Sequence, residues 1–291
     1  MPQADVGELR FDGATAIVTG AGRGLGRAHA ALLAARGARV VVADVGGADV
    51  AAAEIVGQGG EAVAATGSVA EPADAEQIVA VARDAYGPVD IVVNNAGISR
   101  PEPLGKLTLD NLQAELAVHL VGTMLVTKAA WGDLRASERA AVVNTTSGVG
   151  LFGMAGAVSY AAAKMAIVGA TTTMALEGAR HGIRVNAVAP IARTAMAGEV
   201  FADLTPLLDP ELVSSVVAWL AHPDCQLNGQ ILSAGGGRVA WVAIEVGLGE
   251  LVDGLMPEDV AAMAPAVLAQ PTMAMTDAMA EVELIRQLRG R

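Results

Sequence analysis

A strand, a glycine-rich turn and a helix follow one another directly near the start of the chain, and this unit constrains the fold more than any other stretch. Residues 14–19 form an apolar run typical of a buried parallel strand, and an Ala/Leu/Arg-rich helix extends to about Ala35. The turn between them, residues 20–26, reads GAGRGLG. Glycines let the backbone approach a pyrophosphate, and the helix start offers free N–H groups and a positive dipole end. The unit therefore predicts dinucleotide binding.

The second predicted strand, residues 38–43, leads into an acidic residue, Asp44. A carboxylate at this position accepts the two hydroxyls of an adenosine ribose and repels a 2′-phosphate, which predicts NAD rather than NADP. Arg23, inside the glycine turn, favours the opposite choice because its guanidinium can pair with such a phosphate. We expect Asp44 to decide, since a phosphate there would lie beside an uncompensated carboxylate. The alternative role for Asp44 is that of a turn residue at a strand end.

Strands and helices continue to alternate along the chain, which predicts an α/β fold: a single-domain, Rossmann-type, doubly wound parallel sheet with helices on both faces. Of the 291 residues, 53% are hydrophobic but only 3% aromatic, so Ala, Val, Leu and Met must fill the core. We expect the dinucleotide-binding domain to span residues 1–237, with a substrate lid at 190–209. Residues 238–291 are expected to form an extension that packs on the same domain or on a neighbouring subunit.

A tyrosine and a lysine lie four residues apart in the Ala-rich run Tyr160-Ala161-Ala162-Ala163-Lys164. On a helix they share one face, so the lysine cation is expected to favour phenolate and lower the pKa of the tyrosine. Ser147 follows the apolar run 141–145, and a hydroxyl leaving a strand end can meet that helix over the carboxyl edge of a sheet. This arrangement predicts an acid/base site. Taken alone, the pair is also compatible with a half-buried aromatic ring beside a solvated charge.

Composition excludes several classes of partner. The net charge of −12 argues against nucleic acid and anionic membrane surfaces. No apolar run approaches the roughly 18 residues of a membrane span, and the first residues lack a signal-like pattern. The single cysteine, Cys225, suits a reducing compartment, so we expect a cytoplasmic protein. The four histidines and the cysteine show no metal-ligand spacing, which predicts no metal.

The expected lid is rich in apolar side chains, which predicts a bulky apolar small-molecule substrate such as an acyl chain or a steroid. The alternative is that these side chains pack the lid itself or a subunit contact. Arg100, Lys106 and Arg193 are scattered cations that can meet the phosphates of a coenzyme A. The apolar residues are Ile191, Met196, Val200, Phe201, Leu204 and Leu207, with Trp241 and Met256 further along the chain.

Six motifs follow one another along most of the chain: Thr19-Gly20-x-x-x-Gly24-x-Gly26, Asp44, Asn94-Asn95-Ala96-Gly97, Ser147, Tyr160-x-x-x-Lys164 and Asn186-Ala187-Val188-Ala189-Pro190. Their order and spacing resemble those of the short-chain dehydrogenase/reductase family. Stretches such as VHLVGT and ALEGARHGIRVNAVAP further resemble the dehydrogenase domain of peroxisomal multifunctional β-oxidation enzymes and bacterial relatives. That group is associated with (3R)-hydroxyacyl-CoA and 17β-hydroxysteroid oxidation.

The resemblance implies a role for each matching position. Tyr160 is implied as the acid/base, Ser147 as the group that holds the reacting oxygen, and Lys164 as a ligand of the nicotinamide ribose. Asp44 is implied to hold the adenosine ribose. The remaining implied cofactor contacts are Gly20, Gly24, Leu25 and Gly26 for the pyrophosphate, Ser68 and Val69 for the adenine, Asn95, Ala96 and Gly97 for the ribose and nicotinamide, and Pro190 and Thr194 in the loop after the sixth strand.

Three positions depart from the family pattern. His119 stands where the family usually has an asparagine that orders a water relay behind the lysine, so we consider it a fourth catalytic residue or, equally, a helix-packing imidazole. Ser68 replaces the usual acidic residue after the third strand. The Pro-Gly of the usual substrate loop reads Pro190-Ile191.

These features predict an NAD-dependent oxidoreductase that interconverts a secondary alcohol and a ketone. The alternatives are an NADPH-dependent ketoreductase, with Arg23 as the phosphate partner, and a non-catalytic NAD-binding scaffold. Small residues on the long helix that ends near Trp131 and on the tyrosine helix let helices approach closely, and the resemblance implies a homotetramer.

Overall fold

The computed structural model describes residues 7–192 and 208–289. The chain divides into two compact units, Met1–Trp241 and Val242–Arg291. Much of the expected lid, including Arg193, Thr194 and the apolar residues from Met196 to Leu207, lies outside the described residues. Within the described part of the chain, no helix is long and apolar enough to cross a membrane.

The first eight strands form one sheet in the order β3-β2-β1-β4-β5-β6-β7-β8. Strands β1 to β7 pair in parallel, as expected of buried apolar strands joined by helices. The order reverses between β1 and β4, the point where sheets of this kind bind ligands. The strands are β1 (Thr15–Thr19), β2 (Arg39–Asp44), β3 (Glu61–Thr66), β4 (Ile91–Asn94), β5 (Ala141–Thr145), β6 (Arg184–Pro190), β7 (Ile231–Gly235) and β8 (Arg238–Val242).

Helices cover both faces of this sheet, which confirms the predicted fold class. Side chains of β1 alternate between two apolar clusters, with Ala16 and Val18 in one and Ile17 in the other. The helices are α1 (Gly24–Ala35), α2 (Ala48–Gly57), α3 (Pro72–Tyr86), α4 (Leu109–Leu116), α5 (Gly122–Leu134), α6 (Gly148–Phe152), α7 (Val158–Ala179) and α8 (Pro210–Ala221). A short 3₁₀ turn, Leu104–Lys106, precedes α4.

The long helix predicted from Asp110 to Trp131 is continuous but not uniform. Between α4 and α5 the chain forms a π-helical segment, Ala117–Val121, which contains His119. Single π turns inside α-helices often mark functional positions. This irregularity follows from tertiary packing, so the apolar periodicity of the segment did not reveal it.

The smaller unit is described by itself. It contains α9 (Pro257–Leu268) and α10 (Ala278–Arg289), and its two short strands, β9 (Glu245–Gly247) and β10 (Thr272–Ala274), pair antiparallel. The expectation that residues 238–291 pack on the larger domain or on a neighbouring subunit stays a prediction.

A buried polar chain links the central strands to the helices beneath them. Asn94 on β4 donates through Nδ2 to Thr127 Oγ1 at 2.8 Å and to Asn144 Oδ1 at 2.9 Å. Asn144 on β5 in turn donates to Thr171 Oγ1 at 3.0 Å, and this hydroxyl donates to Ile167 O at 2.7 Å. Because buried amides are costly to leave unpaired, the chain fixes β4 and β5 against α5 and α7.

Replacing Thr171 with Val keeps the side-chain shape but removes the acceptor of the Asn144 amide. We expect Thr171→Val to lower the free energy of unfolding by about 1–3 kcal/mol, because a buried donor is left without a partner. The measurement is urea unfolding followed by circular dichroism. Thr172→Val, on the exposed neighbouring residue, is the matched control and should change the free energy by no more than about 0.5 kcal/mol. Equal losses in the two variants would contradict a role for the buried chain.

Candidate active site

The parallel strands bring their carboxyl ends to one edge of the sheet. The glycine turn leaves β1, Asp44 ends β2, and Asn95 follows β4. Ser147 follows β5, and Pro190 ends β6. The sequence-predicted residues on these five strands therefore share the same edge, on either side of the point where the strand order reverses.

The glycine turn is held tightly against the end of β4. Asn95 Nδ2 donates to Thr19 O at 3.0 Å and to Gly20 O at 3.1 Å. Thr19 Oγ1 accepts from the backbone N–H groups of Asn95 at 3.0 Å and Ala96 at 3.1 Å. A Cβ on Gly26 would lie 2.3 Å from Gly20 O and 2.4 Å from Asn95 Nδ2, so only glycine fits there. The turn thus places bare backbone at the start of α1, as a phosphate site requires.

Asp44 binds the glycine turn with one carboxylate oxygen and the loop after its own strand with the other. Its Oδ2 accepts from Gly22 N at 2.9 Å, and its Oδ1 accepts from Gly46 N at 3.2 Å. A carboxylate has acceptor capacity beyond these two bonds, so it remains able to accept ribose hydroxyls. Arg23 occupies the N-cap position of α1, with an extended backbone and an exposed side chain. The two opposing cofactor determinants therefore meet at the glycine turn, since Arg23 is part of it and Asp44 binds it.

The loop after β3 contains Ser68 and Val69. Ser68 donates its backbone N–H to Asp74 Oδ2 at 2.8 Å, and its Oγ accepts from Ala70 N at 3.3 Å. Val69 is buried and packs directly against Gly122. A Cβ added to Gly122 would lie only 2.6 Å from Val69 Cγ2. Asp74, on α3, therefore supplies a carboxylate that fixes this loop, although it lies six residues after Ser68.

Ser147 and Tyr160 face each other across the end of β5. Ser147 begins the short helix α6 and accepts from Val149 N through its Oγ at 3.1 Å. The same hydroxyl interacts with the phenol of Tyr160 and lowers its pKa. Tyr160 lies in the first turn of α7. Helix α6 packs closely on α7, and Gly150 lies so near it that an added Cβ would be 2.7 Å from Lys164 Cβ.

Lys164 is buried behind the tyrosine. Its Nζ donates to Thr145 O at 2.7 Å and lies 5.7 Å from the centroid of the Tyr160 ring. Burial lowers the pKa of Lys164 to about 7, because the ammonium is removed from water. The expected Tyr160–Lys164 pair is therefore present, but near neutral pH Lys164 is protonated in only a fraction of the molecules.

The pKa of Tyr160 shifts in the opposite direction from the one expected. Among the protein's own groups, burial raises this pKa most, the Ser147 hydroxyl lowers it, and the negative charge of Glu115 raises it. The expectation that Lys164 lowers the pKa of Tyr160 was wrong for the protein's own groups. The physical reason is that burial of the phenol disfavours phenolate, and that the lysine is itself desolvated, which lowers its own pKa.

His119 contacts three parts of the site. Its ring meets the Tyr160 ring edge-on, with centroids 5.2 Å apart and planes at 90°. Its Nε2 lies 2.6 Å from Ile98 O. A Cβ on Gly97 would lie 2.6 Å from the imidazole Cε1, so the glycine makes room for this ring. Burial and the nearby Lys164 charge lower the pKa of His119 to about 3, so the imidazole is neutral.

The remaining expected residues are less closely tied to this edge. Pro190 ends β6 opposite Ala234. Trp241, on β8, donates from its indole N–H to Gln230 Oε1 at 2.8 Å, and Met256 belongs to the smaller unit. Arg100 and Lys106 are both exposed. Thr194 and Arg193 lie outside the described residues.

Two residues that organise the site, Asp74 and Glu115, were not singled out from the sequence, and a third, Thr19, was named only as the first residue of the glycine motif. Thr19 accepts two backbone N–H groups of the loop after β4, and Asp74 fixes the loop after β3. Glu115, on α4, is completely buried and accepts from Arg100 N at 2.7 Å through its Oε1. The sequence carries a signal for Thr19, which is polar at the end of an apolar strand, but none for the burial of Glu115.

A nicotinamide dinucleotide fits the residues of this edge. Glycine at position 26 lets the turn fold tightly on itself and on Asn95, which leaves bare backbone at the start of α1, and Asp44 provides a carboxylate beside the same turn. In the described residues no group of three or more His, Cys, Asp or Glu side chains is arranged to hold a metal ion.

Comparisons with known proteins agree with this arrangement. Residues 14–205 match the family model described as short chain dehydrogenase. The mouse peroxisomal multifunctional enzyme type 2 is 40% identical over 256 residues, which cover 84% of this chain and 34% of that protein. The chain thus spans about a third of that relative. A hydroxyacyl-CoA dehydrogenase of Mycobacterium tuberculosis is 39% identical over 256 residues, covering 80% of each chain.

A solved structure shows the same fold. The crystal structure of a short chain dehydrogenase from Mycobacterium avium superposes with a TM-score of 0.81 at 34% identity, covering 91% of this chain and 97% of the other. The family model spans most of the chain, and the two relatives are 40% and 39% identical to it over the aligned residues. This chain therefore belongs to the short-chain dehydrogenase/reductase family and is an oxidoreductase that acts on CH–OH groups with NAD or NADP.

Proposed function

We propose that the protein is an NAD-dependent dehydrogenase that oxidises the secondary alcohol of a bulky apolar substrate, with 3-hydroxyacyl thioesters as the first candidate class and hydroxysteroids as the second. The observation that carries this proposal is the convergence of Ser147, Tyr160 and Lys164 on the edge that also presents the glycine turn and Asp44. Acid/base groups and a dinucleotide-binding turn at the same edge of the sheet support hydride transfer rather than binding alone.

Each of these side chains has a defined task in the proposed reaction. Ser147 holds the hydroxyl oxygen of the substrate, and the Tyr160 phenolate accepts its proton. Lys164, anchored on Thr145 O, holds a positive charge behind the phenol and favours the phenolate in proportion to its protonation. When bound, the nicotinamide supplies the hydride acceptor. In the reverse direction, neutral Tyr160 returns the proton to the carbonyl oxygen.

The substrate class rests on relatives and on two exposed cations. One relative is named a hydroxyacyl-CoA dehydrogenase, and another is a peroxisomal multifunctional enzyme. Arg100 and Lys106 lie on the segment between β4 and α4, exposed and available to a phosphorylated carrier. These observations favour a coenzyme A thioester over a free hydroxysteroid. The cytoplasmic location expected from the sequence stays a prediction.

A substrate panel tests the proposal directly. Purified protein with NAD should reduce the cofactor in the presence of at least one 3-hydroxyacyl-CoA thioester, measured as NADH absorbance, and faster than with simple secondary alcohols or hydroxysteroids. Tyr160→Phe should lower turnover by about 10²–10⁴-fold, because it removes the proton acceptor, while NAD still binds. Tyr86→Phe, which replaces the other tyrosine of the chain, is the matched control and should retain turnover. Full turnover by Tyr160→Phe would require a different acid/base, whereas NAD binding without turnover of any substrate would support the non-catalytic scaffold.

The cofactor preference has its own test. We expect NADH to bind more tightly than NADPH, because the 2′-phosphate would meet the negative charge of Asp44. Asp44→Asn keeps an acceptor oxygen for Gly22 N but removes the charge, so it should reduce the preference for NADH by about tenfold or more. Isothermal titration with both cofactors measures this. Asp49→Asn, on the exposed start of α2, is the control and should leave the preference unchanged.

The alternative function, an NADPH-dependent ketoreductase, is favoured by one observation. The Arg23 side chain is exposed on the glycine turn, which Asp44 binds through Gly22 N, and can approach a 2′-phosphate. A wild-type preference for NADPH in that titration, abolished by Arg23→Gln, would establish the alternative and overturn the role given to Asp44.

We also propose that the chain forms a homotetramer through α5 and α7. Large apolar side chains on the two helices are exposed, among them Met124 on α5 and Met165 and Leu176 on α7. Such a surface favours burial against another copy. Light scattering at micromolar concentration should give a mass near four times 29.3 kDa. A monomeric mass would contradict this assembly.

A further inference from the structure

Glu115 is a buried carboxylate one helical turn before His119, whose ring contacts Tyr160. It lies on α4, which packs against the tyrosine helix α7, and its side chain is completely buried. Its Oε1 accepts a single hydrogen bond, from Arg100 N at 2.7 Å. Its Oε2 has no hydrogen-bond partner among residues 7–192 and 208–289. A buried carboxylate with one oxygen unpaired is costly, so its presence requires an explanation.

Holding the neighbouring loop explains only part of this arrangement. Glu115 binds the backbone N–H of Arg100, and His119, four residues later, contacts the backbone of Ile98. Together the two side chains attach the segment after β4 to the helix. A glutamine would accept the same bond from Arg100 N without placing a negative charge in the interior. The charge itself therefore has another effect.

The groups that face Glu115 show where the charge acts. His119, on the following π-helical segment, is neutral, and the Arg100 guanidinium turns outward to Asn111 Oδ1 at 3.3 Å. From α7, Lys164 directs its ammonium to Thr145 O. Also on α7, Tyr160 contacts the ring of His119, which lies one helical turn after Glu115, with ring centroids 5.2 Å apart. Its ionised form has the same sign of charge as Glu115. Glu177, the remaining titratable group of that helix, is exposed near the other end.

We propose that Glu115 is a positioning residue for the acid/base step: its buried carboxylate biases Tyr160 toward the neutral phenol and thereby sets the pH range in which the tyrosine accepts a proton. The negative charge of Glu115 raises the pKa of Tyr160, in the same direction as burial. The sign follows from Coulomb's law, since a second negative charge nearby disfavours phenolate. Removing the carboxylate charge must therefore let phenolate form at lower pH.

The chemical consequence rests on the proposed function. Alcohol oxidation needs Tyr160 as phenolate, and carbonyl reduction needs it as phenol. Glu115 therefore moves the rising limb of oxidation and the falling limb of reduction to higher pH together. The equilibrium constant of the overall reaction is unchanged, because the enzyme affects only its own protonation states. Because of the Glu115 charge, Tyr160 remains able to donate a proton to a carbonyl up to a higher pH.

Titration of the tyrosine tests the inference without any turnover. The chain has two tyrosines, so Tyr86→Phe leaves Tyr160 as the single signal in protein labelled with carbon-13 at the tyrosine ring carbon that bears the hydroxyl. In this background, Glu115→Gln should shift the phenolate curve to lower pH by about 0.5 to 1 pH unit, as expected for a charge acting at moderate effective dielectric. The variant should contain more phenolate than its parent at every pH from 8 to 11, taken as an approximate alkaline range.

Two further variants keep the test decisive. Asp110→Asn removes an exposed carboxylate from the first turn of the same helix and should leave the curve in place. Glu115→Met removes the charge and the unpaired oxygen together, and it should shift the curve as Glu115→Gln does, even if the amide variant folds poorly. Equal phenolate fractions in parent and Glu115 variants would overturn the proposal and leave Glu115 as a loop anchor.

Kinetics separate this inference from the proposed function. With an active substrate, the rising limb of kcat/KM for oxidation should move to lower pH in Glu115→Gln by the same amount as the titration. If the curve moves but no alcohol is turned over, the proposed function fails and the electrostatic role of Glu115 stands. If alcohol is turned over but neither the phenolate titration curve nor the rising limb of kcat/KM moves, the proposed function stands and the role of Glu115 fails.

Discussion

The structure depends on the close contact between the glycine turn and the end of β4. Asn95 donates to two carbonyls of the turn, and Thr19 accepts two N–H groups from the β4 loop, so each strand end fixes the other. Gly26 makes this approach possible because a side chain there would overlap both partners. The contact lies where the strand order reverses, and it therefore joins the dinucleotide half of the sheet to the half that contains Ser147 and Tyr160.

Burial then determines the charges at this edge. Lys164 lies out of water with a backbone carbonyl as its partner, and its pKa falls to about 7. Tyr160 lies beside it, and burial raises the pKa of the phenol. Both shifts favour neutral groups, since a low-dielectric site disfavours any isolated charge. The protein's own groups therefore do not favour phenolate: burial and the charge of Glu115 raise the pKa of Tyr160, and only the Ser147 hydroxyl lowers it.

Sequence patterns predicted the parts of the fold that depend on local spacing. Apolar runs identified the parallel strands, and the bounds of α1, α3 and α8 follow from glycine, proline and apolar periodicity. The position of Glu115 was not predictable, because a glutamate on a mixed helix ordinarily faces water. Its burial arises only when the segment after β4 crosses the helix and presents Arg100 N to it. The π-helical segment around His119 likewise depends on packing against that segment and α7.

His119 shows how one substitution is accommodated by its surroundings. The imidazole is larger than the amide that the family usually has, and the absence of a side chain on Gly97 provides the space. Its Nε2 lies 2.6 Å from Ile98 O and 3.3 Å from Ile98 N, and its Nδ1 has no hydrogen-bond partner in the part of the chain that the structure describes. With a pKa near 3 the ring does not hold a second proton at neutral pH. His119 can therefore accept a hydrogen bond and orient a donor, but it cannot store the proton that Tyr160 releases.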